Sequence, residues 1–415
     1  MVDIRNATAK FARIVKQHGV RSALVAVHRR LVHGGSKAPT GASGKIDFIS
    51  YYNNILGYPH GDEFTTDGVA DNTIQWVIPN FGFGSGGHLN IFRFINMLSE
   101  RGFNQRLVIL PPYDWETSEK ARAAIEDWYF PVHAEIALGV DGFAPSAVTF
   151  ATGWQTAYWV AKHRGSRDKF YFVQDFEPYF FPVSSEYTLS ENTYKLGLKG
   201  ITAGSWLSGK LSDEYGMECG AVSFGVDKEF YQPRPRRDTD TFNIIFYSRH
   251  VTPRRYFEIG LVALARVCEA RPDVSVTFVG GDVSGVEIPF KHVNSGEQKL
   301  DALPDLYSQS DLALVLSGTN LSLLPLEIAA CGCPVIMNDS ASARWLLPDG
   351  AAFYSAVDPD AMAQEILRLI DDETLRQQTA QRARDIALTS SWQSEGDRFV
   401  ELLSQLRARP TKGNS

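Results

Sequence analysis

Residues 311–339 read DLALVLSGTNLSLLPLEIAACGCPVIMND. The apolar run 312–316 predicts a buried strand, and Ser317-Gly318-Thr319-Asn320 a turn. Residues 322–330 predict a helix stopped by Gly332, and 334–337 a second buried strand. Two buried strands joined by a crossover helix make one unit of a parallel sheet. Glu327 is the one ionised side chain on that helix. A buried carboxylate is costly unless something binds it. A ligand with hydroxyl groups at the carboxyl end of a strand would do so; a capping or solvated glutamate is the plainer alternative.

The chain has 415 residues, more than one core usually grows to, so two domains are expected. Its 44% hydrophobic, 21% charged and 12% aromatic content is that of a globular protein, with no apolar run of membrane-spanning length. Cys219, Cys268, Cys331 and Cys333 form no CxxC pair, which predicts buried, reduced thiols and a cytoplasmic setting. The N-terminus lacks an apolar core followed by a small-residue cleavage site, so no secretory signal is expected.

The net charge of −7 is unevenly spread. Residues 1–46 carry nine Lys or Arg against Asp3 alone, net +8, which leaves −15 for the remainder. No nucleic-acid partner is expected. The basic segment also has helical apolar spacing through Phe11, Ile14, Val15, Leu24, Val27 and Leu31. Two readings stand side by side for it: a helix lying on an anionic membrane surface, or an extension packed on its own domain or at a homodimer contact. Residues 34–44 read as a linker.

From 74 onward, strands alternate with helices, the pattern of a doubly wound parallel sheet. Strand 74–79 leads into NFGFGSGGH (80–88) and a helix at 89–101. Glycines let main-chain N–H groups approach an anion at a helix start. Gly82, Gly84 and Gly87 satisfy G-x-G-x-x-G, but strand 106–110 ends in Pro-Pro without the acidic residue that would hold a ribose. Further strands are expected at 147–151, 170–174, 200–203 and 220–224, with helices near 118–128, after Gly153, at 186–196 and at 205–215. The segment QDFEPYFFP (174–182) is rich in carboxylates and aromatics. Trp154, Asp175 and Glu177 are candidates for holding a polyhydroxyl ligand; the alternative is an ordinary loop with a capped helix.

Residues 231–241, YQPRPRRDTDT, are a proline-rich charged linker. Its Asp238-Thr-Asp240 is formally D-x-D, yet lies in a solvated run, so no metal is expected. Strand 242–247 then opens a second domain. Arg249 and Arg254, five residues apart at a helix start, suit a diphosphate. Strands at 274–279 and 312–316 follow, and helices at 359–370, 375–387 and 392–406 finish the chain.

These motifs together resemble the GT-B family 4 retaining glycosyltransferases. The resemblance rests on the Gly-rich loop ending in SGGH, GVDxxxYxP at 225–233, the Arg249/Arg254 pair and PLEIAACGCPVI at 325–336. SGGHxxIFR, VQDFEPYF and SENTYK more narrowly resemble bacterial rhamnosyltransferases of cell-surface polysaccharide assembly. The resemblance implies an α/β fold with two Rossmann-like doubly wound domains facing across a cleft. The acceptor domain would span 47–230, the linker 231–241 and the donor domain 242–390. Residues 391–415 would form a helix crossing back to the first domain, and a tail.

By resemblance, Arg249 and Arg254 neutralise the leaving diphosphate of a nucleotide-sugar donor, Gly86 and Gly87 approach it from the other domain, and Glu327 binds the nucleotide sugar. Gly280, Val293, Thr319, Asn320 and Leu321 complete the donor side, with the base read near His292 and Val293. His88 and Asp175 stand near the reacting centre. The family usually has a second glutamate eight positions before Glu327, where this chain has Thr319. That departure admits a 6-deoxyhexose donor such as dTDP-L-rhamnose, or lost activity in a non-catalytic scaffold pairing with an active glycosyltransferase; a transferase using a UDP- or GDP-sugar is a separate alternative. A sugar-nucleotide epimerase is disfavoured, since no histidine and carboxylate set is arranged for proton abstraction. Metal-free transfer to a saccharide or lipid-linked saccharide is expected, in the cytoplasm or on the inner face of the plasma membrane.

Overall fold

A computed structural model describes residues 47–57, 64–111, 113–321 and 323–408. The basic segment 1–46, with its membrane and dimer readings, lies outside these residues. The chain divides into two units at Asn54/Ile55. Asp47 starts the helix Phe48–Leu56 by accepting from the Ser50 main-chain N–H at 2.9 Å and its hydroxyl at 2.6 Å.

The larger unit holds two all-parallel sheets. The first contains β1 (Thr73–Ile78), β2 (Asn104–Ile109), β3 (Glu135–Leu138), β4 (Ser146–Ala151), β5 (Ser166–Val173), β6 (Lys199–Ala203) and β7 (Cys219–Val222), in the order β3-β2-β1-β4-β5-β6-β7. The second contains β8 (Phe242–Tyr247), β9 (Val274–Val279), β10 (His292–Gly296), β11 (Leu312–Val315), β12 (Val335–Asn338) and β13 (Phe353–Ser355), in the order β10-β9-β8-β11-β12-β13. The strand order reverses between β1 and β4 and between β8 and β11. Loops leaving these strands diverge to opposite sides and leave a crevice at their carboxyl ends.

Apolar runs such as TIQWVI in β1 are buried because helices cover both sheet faces. Trp76 stacks on Phe150 with ring centroids 4.5 Å apart in the core of the first domain. The final helix, Trp392–Arg407, packs on that same core, placing Phe399, Leu402, Leu403 and Leu406 in it. Polar ties reinforce the return: Lys199 donates to the Leu406 carbonyl at 2.7 Å, and Arg101 pairs with Asp397 at 2.7 Å. The expected crossing-back helix is thus present.

Element edges differ modestly from the sequence reading. The helix expected at 322–330 is Leu324–Ala330, and that at 186–196 stops at Asn192 before a 3₁₀ turn, Thr193–Lys195. The strand expected at 220–224 is Cys219–Val222. Three strands have no counterpart in the sequence reading: β3, β10 and β13. All are short and sit at sheet edges, and β10, HVNSG, is largely exposed and polar. Little apolar periodicity marks such strands.

Candidate functional site

The crevice lies among loops at the carboxyl ends of the strands: 79–85 after β1, 152–153 after β4, 174–176 after β5, 248–256 after β8 and 316–321 after β11. In the first, Ser85 caps the helix Gly86–Glu100. Gly82, Gly84 and Gly86 have open space where a side chain would stand, while Gly87 lies against Gln174. The Gln174 amide donates to the Gly87 carbonyl at 3.0 Å, tying the end of β5 to the Gly-rich turn. His88 is held by Ser85, with Oγ 2.7 Å from Nδ1. Its Nε2 is shut off from solvent without a hydrogen-bond partner. Burial pushes this imidazole down to about 4, against a smaller opposing effect of the Pro79 carbonyl, so it is neutral at physiological pH.

Across the crevice, Arg254 lies over the Phe180 ring at 4.2 Å, and its Nε is buried with no partner. Burial lowers its pKa to about 10, opposed by Asp175. Arg249 and Arg255 stand near enough to repel it, so three guanidiniums gather after β8. Arg255 also donates to the Ser317 hydroxyl at 2.9 Å. Tyr256 takes a left-handed φ of 49° before the helix Phe257–Ala270, and its hydroxyl lies 2.5 Å from where a Cβ on Gly318 would be. Gly318 is therefore required for this close approach.

Asp175 bridges the two domains. Its Oδ2 accepts from the Thr319 hydroxyl at 2.8 Å, and its Oδ1 from the Asn320 and Phe176 main-chain N–H groups, both at 2.8 Å. Burial raises its pKa; Arg254 and these hydrogen bonds work in the opposite direction. Asn320 acts as a peg. Its amide donates to the Gln174 carbonyl at 3.0 Å and the Ala203 carbonyl at 2.7 Å, and its oxygen accepts from Trp345 Nε1 at 2.7 Å. The amide nitrogen and the oxygen are thus both engaged within the protein.

The other carboxylates face inward. Glu177 accepts from the Trp154 main-chain N–H at 2.9 Å and from the Tyr171 hydroxyl, placing negative charge at the start of the helix Trp154–Lys162. Burial pushes it up to about 7. Trp154 is itself buried, its ring edge-on to Phe181. Neither residue offers a free face to an acceptor, because both are spent on seating this helix. Glu327 is also buried and raised to about 7 by burial, with Arg93 and the hydrogen-bonding Tyr231 pulling it down.

Arg93 is the residue that the sequence reading passed over. It comes from the helix Gly86–Glu100 of the first domain, lies over the Trp392 ring at 4.8 Å, and has a buried, unpartnered Nη1. Its signal was legible: it is the one Lys or Arg in GGHLNIFRFINMLSE, the same logic that singled out Glu327.

On the donor side, Gly280 has φ 94°, and a Cβ there would lie 2.5 Å from the Tyr247 ring. Leu321 is core. Val293 is 52% exposed and pairs with Thr277 in the amino-terminal half of β10, not at the carboxyl end where the crevice opens. His292, at the start of that strand, is likewise placed. The linker aspartates 238 and 240 are exposed, as read.

Models of the WsaF N-terminal and C-terminal domains match residues 144–203 and 242–367. The O-antigen biosynthesis protein RfbC of Myxococcus xanthus is 29% identical over 354 residues, 81% of this chain and 27% of its own. A phosphatidyl-myo-inositol mannosyltransferase of Mycolicibacterium smegmatis is 25% identical over 195 residues, 43% of this chain and 49% of its own. The chain thus spans about a quarter and about half of these two curated relatives. Among solved structures, HepE of Anabaena with UDP and glucose superposes with a TM-score of 0.63 at 17% identity, over 80% of this chain and 99% of that one. Sucrose-phosphate synthase of Thermosynechococcus elongatus gives 0.61 at 12% identity, over 81% and 99%. With its two parallel sheets, its facing loops and its returning last helix, the chain has the GT-B fold.

Proposed function

We propose that this chain is a nucleotide-sugar-dependent glycosyltransferase of bacterial surface polysaccharide biosynthesis. The observation that carries the reading is the buried, unpartnered Nε of Arg254, in the loop after β8 with Arg249 and Arg255 close by. A buried donor without a partner calls for a ligand, and three clustered guanidiniums call for an anionic one. Relatives whose names tell of O-antigen biosynthesis and mannosyl transfer, and a neighbour solved with UDP, support a nucleoside diphosphate as that anion. The donor proposed is dTDP-L-rhamnose, and the acceptor a saccharide or lipid-linked saccharide.

In the proposed reaction the bond from the anomeric carbon to the diphosphate oxygen breaks. Negative charge grows on the departing diphosphate, where the fixed cations stabilise it. The acceptor hydroxyl joins the same face of the sugar, with retention, and its proton passes to the leaving phosphate. Since fixed cations serve the leaving group, activity is expected to persist in EDTA. Calorimetric titration with dTDP, UDP, GDP and ADP tests the reading: selective binding of one supports it, and selective dTDP binding supports the deoxysugar donor. Binding of none favours the non-catalytic scaffold.

A further inference from the structure

The oxygens of Asp175 sit where an anion bound to the second domain would. A hydroxyl (Thr319) and a main-chain N–H (Asn320) donate to them, and the Arg254 and Arg255 guanidiniums are near enough to act on them electrostatically. Such a donor set binds phosphoryl oxygens as readily as carboxylate oxygens. Here the oxygens belong to the chain itself. We propose that Asp175 is an internal anion that occupies the diphosphate subsite of the second domain, and that a nucleoside diphosphate must displace this carboxylate to bind. The inference rests on the diphosphate reading of Arg254 given above.

Two features make displacement feasible without taking the domains apart. Asp175 lies in the loop between β5 and the 3₁₀ turn Glu177–Phe180, outside the sheet ladder. The Asn320 side chain holds the first domain independently, through the Gln174 and Ala203 carbonyls. A carboxylate on Thr319 and Asn320 and a diphosphate on the same donors cannot coexist without strong like-charge repulsion at this buried site. Ligand affinity is therefore reduced by whatever holds Asp175 in place.

The test is calorimetric titration of the full chain and of its Asp175→Asn variant with UDP, dTDP and inorganic pyrophosphate. The amide oxygen of Asn still accepts from the Asn320 N–H, and the Thr319 hydroxyl accepts in turn from the amide, so the local packing is kept. The variant is expected to bind diphosphates about tenfold more tightly, within the roughly 5- to 150-fold span usual for coupled sites. Asp175→Ala, read the same way, serves if the amide variant does not fold. Equal or weaker binding by the variant, with the parent chain binding nucleotide, overturns the internal anion and leaves the transferase reading standing. Tighter pyrophosphate binding with no nucleotide bound by either protein keeps the internal anion and overturns the nucleotide reading. No binding to any protein overturns both.

Discussion

The Asp175 carboxylate of the first domain accepts a 2.8 Å hydrogen bond from the Thr319 hydroxyl of the second, 144 positions away in the chain. Position 319 is where the resemblance expects a glutamate. The chain has no carboxylate of its own there, yet the facing domain brings one to it. The uncharged Thr319 thus faces a carboxylate supplied by the other domain rather than carrying one of its own.

Arg254→Ala is expected to weaken nucleoside diphosphate binding by about 1.5–3 kcal/mol, the usual span for a hydrogen bond to a charged group, or roughly tenfold to over a hundredfold in Kd. Only the Nε of this guanidinium lacks a partner, while the group stacks on Phe180 and offsets the charge of the buried Asp175. Thermal melting should therefore fall somewhat as calorimetric affinity falls; a lower melting temperature with unchanged affinity would mean that Arg254 serves the fold alone.

Glu327 and His88 give stability opposite pH dependences. Glu327 rises from 4.5 to about 7 on folding, so its contribution is fully present below pH 4.5 and is lost as pH rises through 7. His88 falls from 6.5 to about 4, so its contribution is present above pH 6.5 and is lost as pH falls through 4. Each tenfold change in proton affinity is worth about 1.4 kcal/mol, so Glu327→Gln should gain up to about 3 kcal/mol over the parent chain as pH rises from about 4.5 to 7.5. His88→Asn should gain on the acid side. Urea unfolding at half-unit pH steps reads both, and a pH-independent difference for either variant would refute the assignment.

Gly204 has φ 96°, and a Cβ there would lie 2.6 Å from the Trp345 ring of the second domain. Gly204→Ala combines a left-handed backbone with a clash, and should cost about 2–4 kcal/mol. Trp345 also donates to Asn320, so its fluorescence should report the loosened domain contact. An unchanged melting curve and emission spectrum would argue against this packing.

Phe399, on the returning helix, is fully buried, with ring centroids 5.0 Å from Phe94, 5.5 Å from Phe150 and 5.9 Å from Trp76 and Phe172. Phe399→Ala should destabilise by about 3–5 kcal/mol. Since this core belongs to the first domain, proteolysis should cut there first; preferential cutting in 242–390 would contradict the packing.

Local chemistry determined much of this protein from the sequence alone. The apolar runs at 74–79, 242–247, 312–316 and 334–337, glycine at the turns and the alternation of periods made the parallel sheets legible, since a strand buried on both faces must be apolar throughout. The same rule drew attention to Glu327 and applies to Arg93, lone charges on apolar helices. Short edge strands such as β10 and β13 escaped because they bury too little to leave a pattern. What only the tertiary structure decided was which polar group meets which. Glu177 and Asp175 are two residues apart in one loop with equal claims by composition, yet one turns inward to a helix start and the other outward to Thr319 and Asn320. Hydrogen-bond partners across a domain interface are set by how two cores dock, and residue spacing along the chain carries no record of that docking.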